Sequence, residues 1–411
     1  MNERGITRRD FAKLGAAASF AAWTQRRAAA ETNSDTLRVG VIGCGGRGTG
    51  MAINMLDERN ENVQVVALAD AFEDRLNSCR NALENNDNVA GRVNIDDEHC
   101  FVGFDAYQRL VEADVDIVMD CSPPYNRPKH LEAIVAAGKH IFAEKPVAVD
   151  PVGVQRALAA AEEAEEKGLS YVAGTQFRHD SRRIQTIEQI HDGAIGDVVA
   201  LTTYYCGNLP WSREREEGWS DLEYHLRNWL VHNWTGGSNI VEQAVHGLDV
   251  MDWVMDGPPR SVFGSGARSW LPEEERYGDI WDNFTCNYEY PDGTQMYHLS
   301  RWWPTDGQGG ERIVGTEGIS DTQDMGEPGI TSTVQQFIDL TNSIRGEGPY
   351  YNEGRRIAHS TMTAVMGRMS AYTGQRILWD EAMESDLSIV PDELDFDQEY
   401  PVGPIAVPGE E

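Results

Sequence analysis

The chain has 411 residues, 40% of them hydrophobic, which is enough apolar content for two cores at the usual size of ~100–200 residues per domain. Its 67 Asp and Glu against 35 Lys and Arg leave a formal charge of −32. That sign argues against nucleic acid or an anionic membrane as partner, because the phosphate attraction that drives such contacts is reversed. Acidity dispersed over the chain with few lysines also suits a salty medium.

The first 30 residues read as an export address and not as part of a fold. Thr7-Arg8-Arg9-Asp10-Phe11-Ala12-Lys13 has the twin-arginine pattern, Gly15 to Trp23 is a short apolar run, and Ala28-Ala29-Ala30 offers a small-residue cleavage site. The run is too short to span a bilayer, so no membrane attachment is expected once residues 1–30 are removed. The expected location is the periplasm or the exterior, reached by twin-arginine export.

Residues 35–175 alternate between strand-like and helix-like segments, which predicts a doubly wound parallel sheet of the Rossmann kind. Leu37–Ile42 is a short apolar strand that feeds directly into Gly43-x-Gly45-x-x-Gly48, and a second apolar strand, Val63 to Ala69, is closed by Asp70. Gly43 suits the tight turn, Gly45 the close approach of backbone to a pyrophosphate, and Gly48 the close packing of helix on sheet. Gly46 and Arg47 complete the loop, and the helix N-terminus that follows favours negative charge. Asp70 lies about 20 residues beyond the glycines, where a carboxylate accepts ribose hydroxyls and repels a 2′-phosphate, so NAD is expected ahead of NADP.

Further along come helices near Phe72–Asn86 and Ala106–Ala113, the strand Val115–Cys121, a helix near Pro128–Ala137, the strand His140–Ala143, a helix near Val152–Lys167 and the strand Tyr171–Ala173. Ligands of open α/β sheets bind at the carboxyl ends of strands. Ser122 and Pro123 after one strand, and Glu144-Lys145-Pro146 after another, are therefore expected at the cofactor. Lys145 is also placed to hydrogen-bond a substrate hydroxyl beside a nicotinamide. Cys44, Cys79, Cys100, Cys121, Cys206 and Cys286 show no CxxC spacing and are expected to be mostly free core thiols, with no metal site.

Over residues 176–378 the grammar changes to longer strands at Asp197–Tyr205, Ser261–Ser269, Asn283–Tyr290 and Thr294–Trp302. Pro291-Asp292-Gly293 between the last two is a hairpin signal, so this part is expected to be an α+β domain with a largely antiparallel open sheet. Helices are expected at Ser238–Met255, Val334–Ile344 and Gly354–Tyr372. In the first of these, Ser238 or Asn239 caps the helix, and Glu242 and Asp249 flank His246 at helical spacing. An imidazole between two acids can be held in one tautomer and accept a proton as a general base, and Glu242 and Asp249 are also expected to reach the substrate. Among the aromatic and polar residues just before this helix, His232 and Trp234 are expected to wall the substrate. Residues 379–411 carry eleven acids, four prolines and no Lys or Arg, a composition expected to run extended over the surface or over a neighbouring subunit.

Taken together, Gly43-x-Gly45-x-x-Gly48, Glu144-Lys145-Pro146 and His246-x-x-Asp249 resemble the glucose–fructose oxidoreductase, inositol dehydrogenase and rhizopine-catabolism (Gfo/Idh/MocA) family, from about Leu37 to Trp379. The resemblance implies a Rossmann domain followed by an antiparallel-sheet domain often used for oligomerisation, hence a homodimer or homotetramer. It also implies Lys145 as catalytic lysine, His246 as proton acceptor, and Arg178 as a substrate contact. The family commonly has Asp where this chain has Glu242. The expected activity is hydride transfer between NAD and a secondary alcohol of a sugar, polyol or glycoside. Two alternatives stand beside it: a redox-neutral enzyme with tightly held NAD that couples two sugars or cleaves a glycoside, and a non-catalytic sugar-binding or sensor protein. Scarcity of NAD outside the cytoplasm favours a held nucleotide over an exchanging one.

Overall fold

The computed structural model describes residues 36–409; the twin-arginine segment lies outside the described residues. Two sheets organise the chain. The first contains β1 (Leu37–Ile42), β2 (Val63–Asp70), β3 (Cys100–Val102), β4 (Ile117–Asp120), β5 (His140–Ala143) and β6 (Tyr171–Ala173), in the order β3-β2-β1-β4-β5-β6 with every pair parallel. This is the dinucleotide-binding order, whose switch point falls between β1 and β4. The interior strands are largely apolar because helices cover both faces.

The helices of this half are α1 (Gly46–Met55), α2 (Glu73–Glu84), α3 (Ala106–Glu112), α4 (Arg127–Ala136) and α5 (Pro151–Glu166). For α5 the start is set by Asp150, whose carboxylate accepts from the Gly153 N–H at 2.7 Å, with Pro151 in the first turn.

After α6 (Ser181–His191), the second sheet contains β7 (Val198–Gly207), β8 (Ser261–Ala267), β9 (Asn283–Glu289), β10 (Gln295–Trp302), β11 (Gln308–Gly315), β12 (Ile319–Ser320) and β13 (Arg376–Leu378). Their order is β12-β11-β7-β10-β9-β8-β13, antiparallel except for the parallel pair β7 and β10. The hairpin at Pro291-Asp292-Gly293 is present, with Gly293 at φ +92°. β11 escaped the sequence reading because Gly309, Gly310 and Gly315 dilute its strand signal.

Between β7 and β8 lie the short helices α7 (Asp221–Arg227), α8 (Asn233–Gly236), α9 (Ser238–Glu242) and α10 (Val245–Val254). The chain then returns to the first sheet. α11 (Ser332–Arg345) sets Phe337 against Phe142 of β5, ring centroids 4.7 Å apart, so this helix packs on the first sheet. α12 (Gly354–Thr373) packs between α5 and β8 and carries one apolar core across both sheets. α13 (Trp379–Met383) opens the acidic tail.

Candidate active site

A cleft of about 1100 Å³ opens at the carboxyl edge of the first sheet, where the glycine loop, the β4 and β5 ends and the α9–α10 junction face one another. That is slightly above the ~300–1,000 Å³ typical of small-ligand sites.

The glycine loop has the geometry of a phosphate cradle. Gly43 turns at φ +88°, and a Cβ there would lie 2.6 Å from the Ser122 backbone nitrogen. At Gly48 a Cβ would strike the Gly43 carbonyl at 1.9 Å, so α1 and the turn can touch only through glycine. At Gly45 and Gly46 a Cβ would meet no protein atom. Both positions line the open cleft, and no side chain caps α1, so its N-terminal donors are left for an anion. Asp70 closes β2 in the same cleft. Its carboxylate accepts from the N–H of Cys44 at 2.7 Å and of Phe72 at 2.9 Å. Burial raises its pKa, and the two N–H donors counter that effect. Each oxygen retains a lone pair, as binding a ribose diol requires. A dinucleotide therefore fits this half of the cleft.

Ser122, Pro123, Arg47 and Glu144 line the cleft. The Ser122 hydroxyl is held by Asp120, to whose Oδ1 it donates at 2.6 Å. The buried Glu144 accepts from Arg47 Nε at 2.6 Å and fixes that guanidinium at the loop.

Lys145, Glu242 and His246 come together at the opposite end. The buried Lys145 ammonium donates to Glu242 Oε1 at 2.8 Å and to the Glu242 carbonyl. That carbonyl is free because the predicted single helix is broken. α9 stops at Glu242 and α10 begins at Val245, so the His246 N–H turns to the Gln243 carbonyl at 3.4 Å instead of to Glu242. Neither Ser238 nor Asn239 caps the helix. Ser238 sits at φ +72°, and its hydroxyl donates to the Trp281 carbonyl.

The acid–imidazole–acid arrangement is not formed. Glu242 serves Lys145, and the buried Asp249 lies outside the cleft lining, where it accepts from Arg178 Nε at 2.9 Å, Arg356 at 2.7 Å and Ser360 at 2.7 Å. Burial raises the Asp249 pKa, but the two guanidinium groups win and hold it below the usual carboxylate range. His246 packs beside Phe177, centroids 5.3 Å apart, with Nδ1 buried and unpartnered. Burial, then the charge of Lys145, push its pKa well below the ordinary histidine value. It is therefore a neutral ring that can accept a proton.

Besides Asp249, three more expected substrate contacts lie outside the cleft lining. Arg178 is turned toward Asp249 and stacks over Trp253 at 4.7 Å; the cleft instead receives Gln176, two residues earlier, with its Oε1 unpartnered. His232 is buried, stacked on His225 at 3.8 Å, and Trp234 donates to His225 Nδ1 at 3.0 Å. The aromatic wall is made by Trp211 and Trp229, whose rings meet edge to face at 5.6 Å. No sequence spacing marks Trp211, which sits on the long connection after β7. Among the described residues, no group of three or more His, Cys, Asp or Glu could hold a metal ion.

Two family models match: the Gfo/Idh/MocA oxidoreductase family, NAD-binding Rossmann fold, over residues 37–172, and the GFO/IDH/MocA C-terminal domain over 184–320. Together they account for more than half of the chain, which belongs to this family of oxidoreductases. Similar curated proteins include a myo-inositol 2-dehydrogenase of Thermotoga maritima, 25% identical over 59% of this chain and 62% of its own length. A scyllo-inositol 2-dehydrogenase (NAD(+)) of Bacillus subtilis is 25% identical over 52% and 57% respectively. The matched part thus spans about 60% of these relatives' length. Among solved structures, an aldose-aldose oxidoreductase from Caulobacter crescentus complexed with glycerol superposes with a TM-score of 0.66 at 17% identity, covering 84% of this chain and 99% of that one. The WlbA dehydrogenase from Bordetella pertussis, in complex with NADH and UDP-GlcNAcA, gives 0.65 at 18% identity, with coverages of 84% and 97%. At such identities the likeness is one of fold.

Proposed function

We propose that this protein is an NAD-dependent oxidoreductase acting on a secondary alcohol of a sugar, polyol or glycoside. The observation that carries this reading is the placement of an anchored Lys145 and a neutral His246 in one cleft with the glycine cradle. Gly43, Gly45, Gly48 and Asp70 would hold the dinucleotide, with Asp70 favouring the unphosphorylated ribose. When bound, its nicotinamide supplies the acceptor for the hydride that leaves the carbinol carbon. His246 takes the hydroxyl proton on its neutral imidazole, and the two electrons of the C–H bond leave with the hydride, so that the alcohol becomes a ketone. Lys145 donates to the reacting oxygen while Glu242 keeps its ammonium in place. Trp211 and Trp229 offer the flat apolar surface that a sugar ring stacks on.

The test is calorimetric binding of NAD and NADP, followed by absorbance of reduced nicotinamide with a panel of inositols, aldoses and glycosides. NAD binding and alcohol-dependent reduction are expected. A chain that binds neither nucleotide would overturn the reading, and one that binds sugars alone would be the sensor protein. In the same reading residues 1–30 direct twin-arginine export. Replacing Arg8 and Arg9 by Lys should leave the precursor in the cytoplasm, as fractionation would show.

A further inference from the structure

We infer that the acidic C-terminal tail is a working part of the nucleotide site: a strap that crosses the Asp70 end of the cleft and slows nucleotide release. This rests on the dinucleotide reading of the cleft and extends it to residues 388–396, beyond both family matches.

The path of the tail carries the inference. It is pinned first to the sheet side, where Gln155 Nε2 donates to the carbonyls of Met383 at 2.9 Å and Ser385 at 2.8 Å, and the Ile389 N–H donates to Asp150 Oδ2 at 2.8 Å. Residues 390–394 then line the same cleft as the glycine cradle. Beyond the cleft the tail is pinned to the opposite wall: the Tyr400 N–H donates to Asp221 Oδ2 at 3.0 Å, and the Ala406 carbonyl accepts from Trp281 Nε1 at 2.9 Å. A segment tied on both banks with its middle facing the cavity is a bridge over it.

Its side chains are fitted to the span. Phe396 stacks on Phe104 with centroids 4.8 Å apart and planes 23° from parallel, and its ring lies 6.4 Å from that of Phe72. Phe72 and Phe104 both line the cleft beside Asp70. Val390 and Leu394 join the apolar cluster formed by Tyr125, Val149 and Tyr400. Trp234 belongs here too: it meets Tyr125 at 5.1 Å and Tyr400 at 6.3 Å, so it seats the strap. Apolar anchors of this kind let a polar, proline-bearing segment lie fixed where its composition alone would leave it free. A nucleotide held beneath such a span leaves only when the span lifts, so the effect falls on the dissociation rate. A retained nucleotide, reduced and reoxidised in place, is what an exported oxidoreductase without an external NAD supply requires.

The experiment is displacement of bound NADH by excess NAD, read as nucleotide fluorescence after rapid mixing, on three proteins: the intact chain, a chain ending at Ser385, and Phe396→Ala. Because Phe396 is 39% exposed, its replacement is expected to leave the fold intact even if the truncation does not. Release is expected to be about tenfold or more faster without the tail and about threefold to tenfold faster for Phe396→Ala. Unchanged release in Phe396→Ala, or truncation that speeds association alone, would overturn the strap; the second result would mean that the tail competes with the nucleotide. An intact chain that binds no NADH would instead remove the dinucleotide reading itself, a separately visible failure.

Discussion

At the Lys145 end of the cleft the reactive groups are set by ion pairs and a broken helix: Glu242 grips Lys145, and His246 stands neutral beside Phe177. At the Asp70 end the site is set by backbone. Two glycines there leave open room, one helix N-terminus is uncapped, and the roof is brought from the far end of the chain. The first end has to move a proton, so it needs charges placed to within hydrogen-bond distance. The second has to hold an anion and a flat ring, so it needs donors, space and apolar cover. Substitutions should therefore separate turnover from nucleotide binding according to the end they touch.

The largest effect is expected from His246→Ala and Lys145→Met. Each should lower turnover by roughly 10²–10⁴-fold while nucleotide affinity, measured by titration, stays within a few-fold. Normal turnover in either variant would move the proton-transfer role elsewhere. Loss of nucleotide binding in both would erase the distinction between the two ends.

Asp249→Ala tests the support behind the reactive end. It would leave Arg178 and Arg356 without their shared buried carboxylate, and removing one partner of a buried ion pair costs about 3–5 kcal/mol. A large fall in the denaturation midpoint is expected, with the Lys145–Glu242 pair intact in the protein that remains folded. If stability were unchanged and only substrate affinity fell, Asp249 would be a substrate contact after all.

This same residue shows where sequence reading succeeds and where it stops. The glycine turn, Asp70 and the lysine after β5 are local patterns whose geometry follows from a strand feeding a turn, and all reach the cleft. Spacing of three or four residues places Glu242, His246 and Asp249 on one face only if the helix is continuous. Gly247, whose Cβ would lie 2.2 Å from Thr203 Oγ1, draws α10 directly onto β7, and the helix breaks at Gln243. Arg178 and Gln176 differ by two positions in a 3-10 turn, where no periodicity tells which one faces the ligand. Residues 379–411 read as an acidic extended segment, but only tertiary structure shows Phe396 on Phe104.

A smaller effect is expected where the second half of the chain is braced against the first sheet. His179 Nδ1 lies 2.6 Å from Asp339 and its Nε2 3.4 Å from Glu353, which also accepts from the Ala173 N–H of β6. Burial opposes a charged ring, yet the two carboxylates raise the His179 pKa from 6.5 to about 9. A folded-state pKa above the unfolded one gives stability that is complete below pH 6.5 and disappears as pH rises through about 9. The stability gap between the parent and His179→Gln, measured by denaturant unfolding, should therefore shrink by on the order of 1–3 kcal/mol from pH 6.5 to 9.5. A gap independent of pH would show that the ring is neutral and merely packed.

Asp70→Ala returns to the nucleotide end with the smallest change and the sharpest sign. The carboxylate accepts from the Cys44 and Phe72 N–H groups, so it both shapes the turn and presents acceptors to a ribose. If presentation dominates, the variant should lose NAD affinity by about tenfold, ~1.4 kcal/mol, while NADP, relieved of like-charge repulsion, loses less or gains. Arg75 and Arg227 line the same part of the cleft and are the cations that a 2′-phosphate would meet once the acid is gone. Comparing the two affinities by calorimetry on one preparation cancels any general loosening of the loop, because damage to the turn weakens both nucleotides alike. Equal losses for NAD and NADP would make Asp70 a backbone clasp, and cofactor choice would then rest with the arginines.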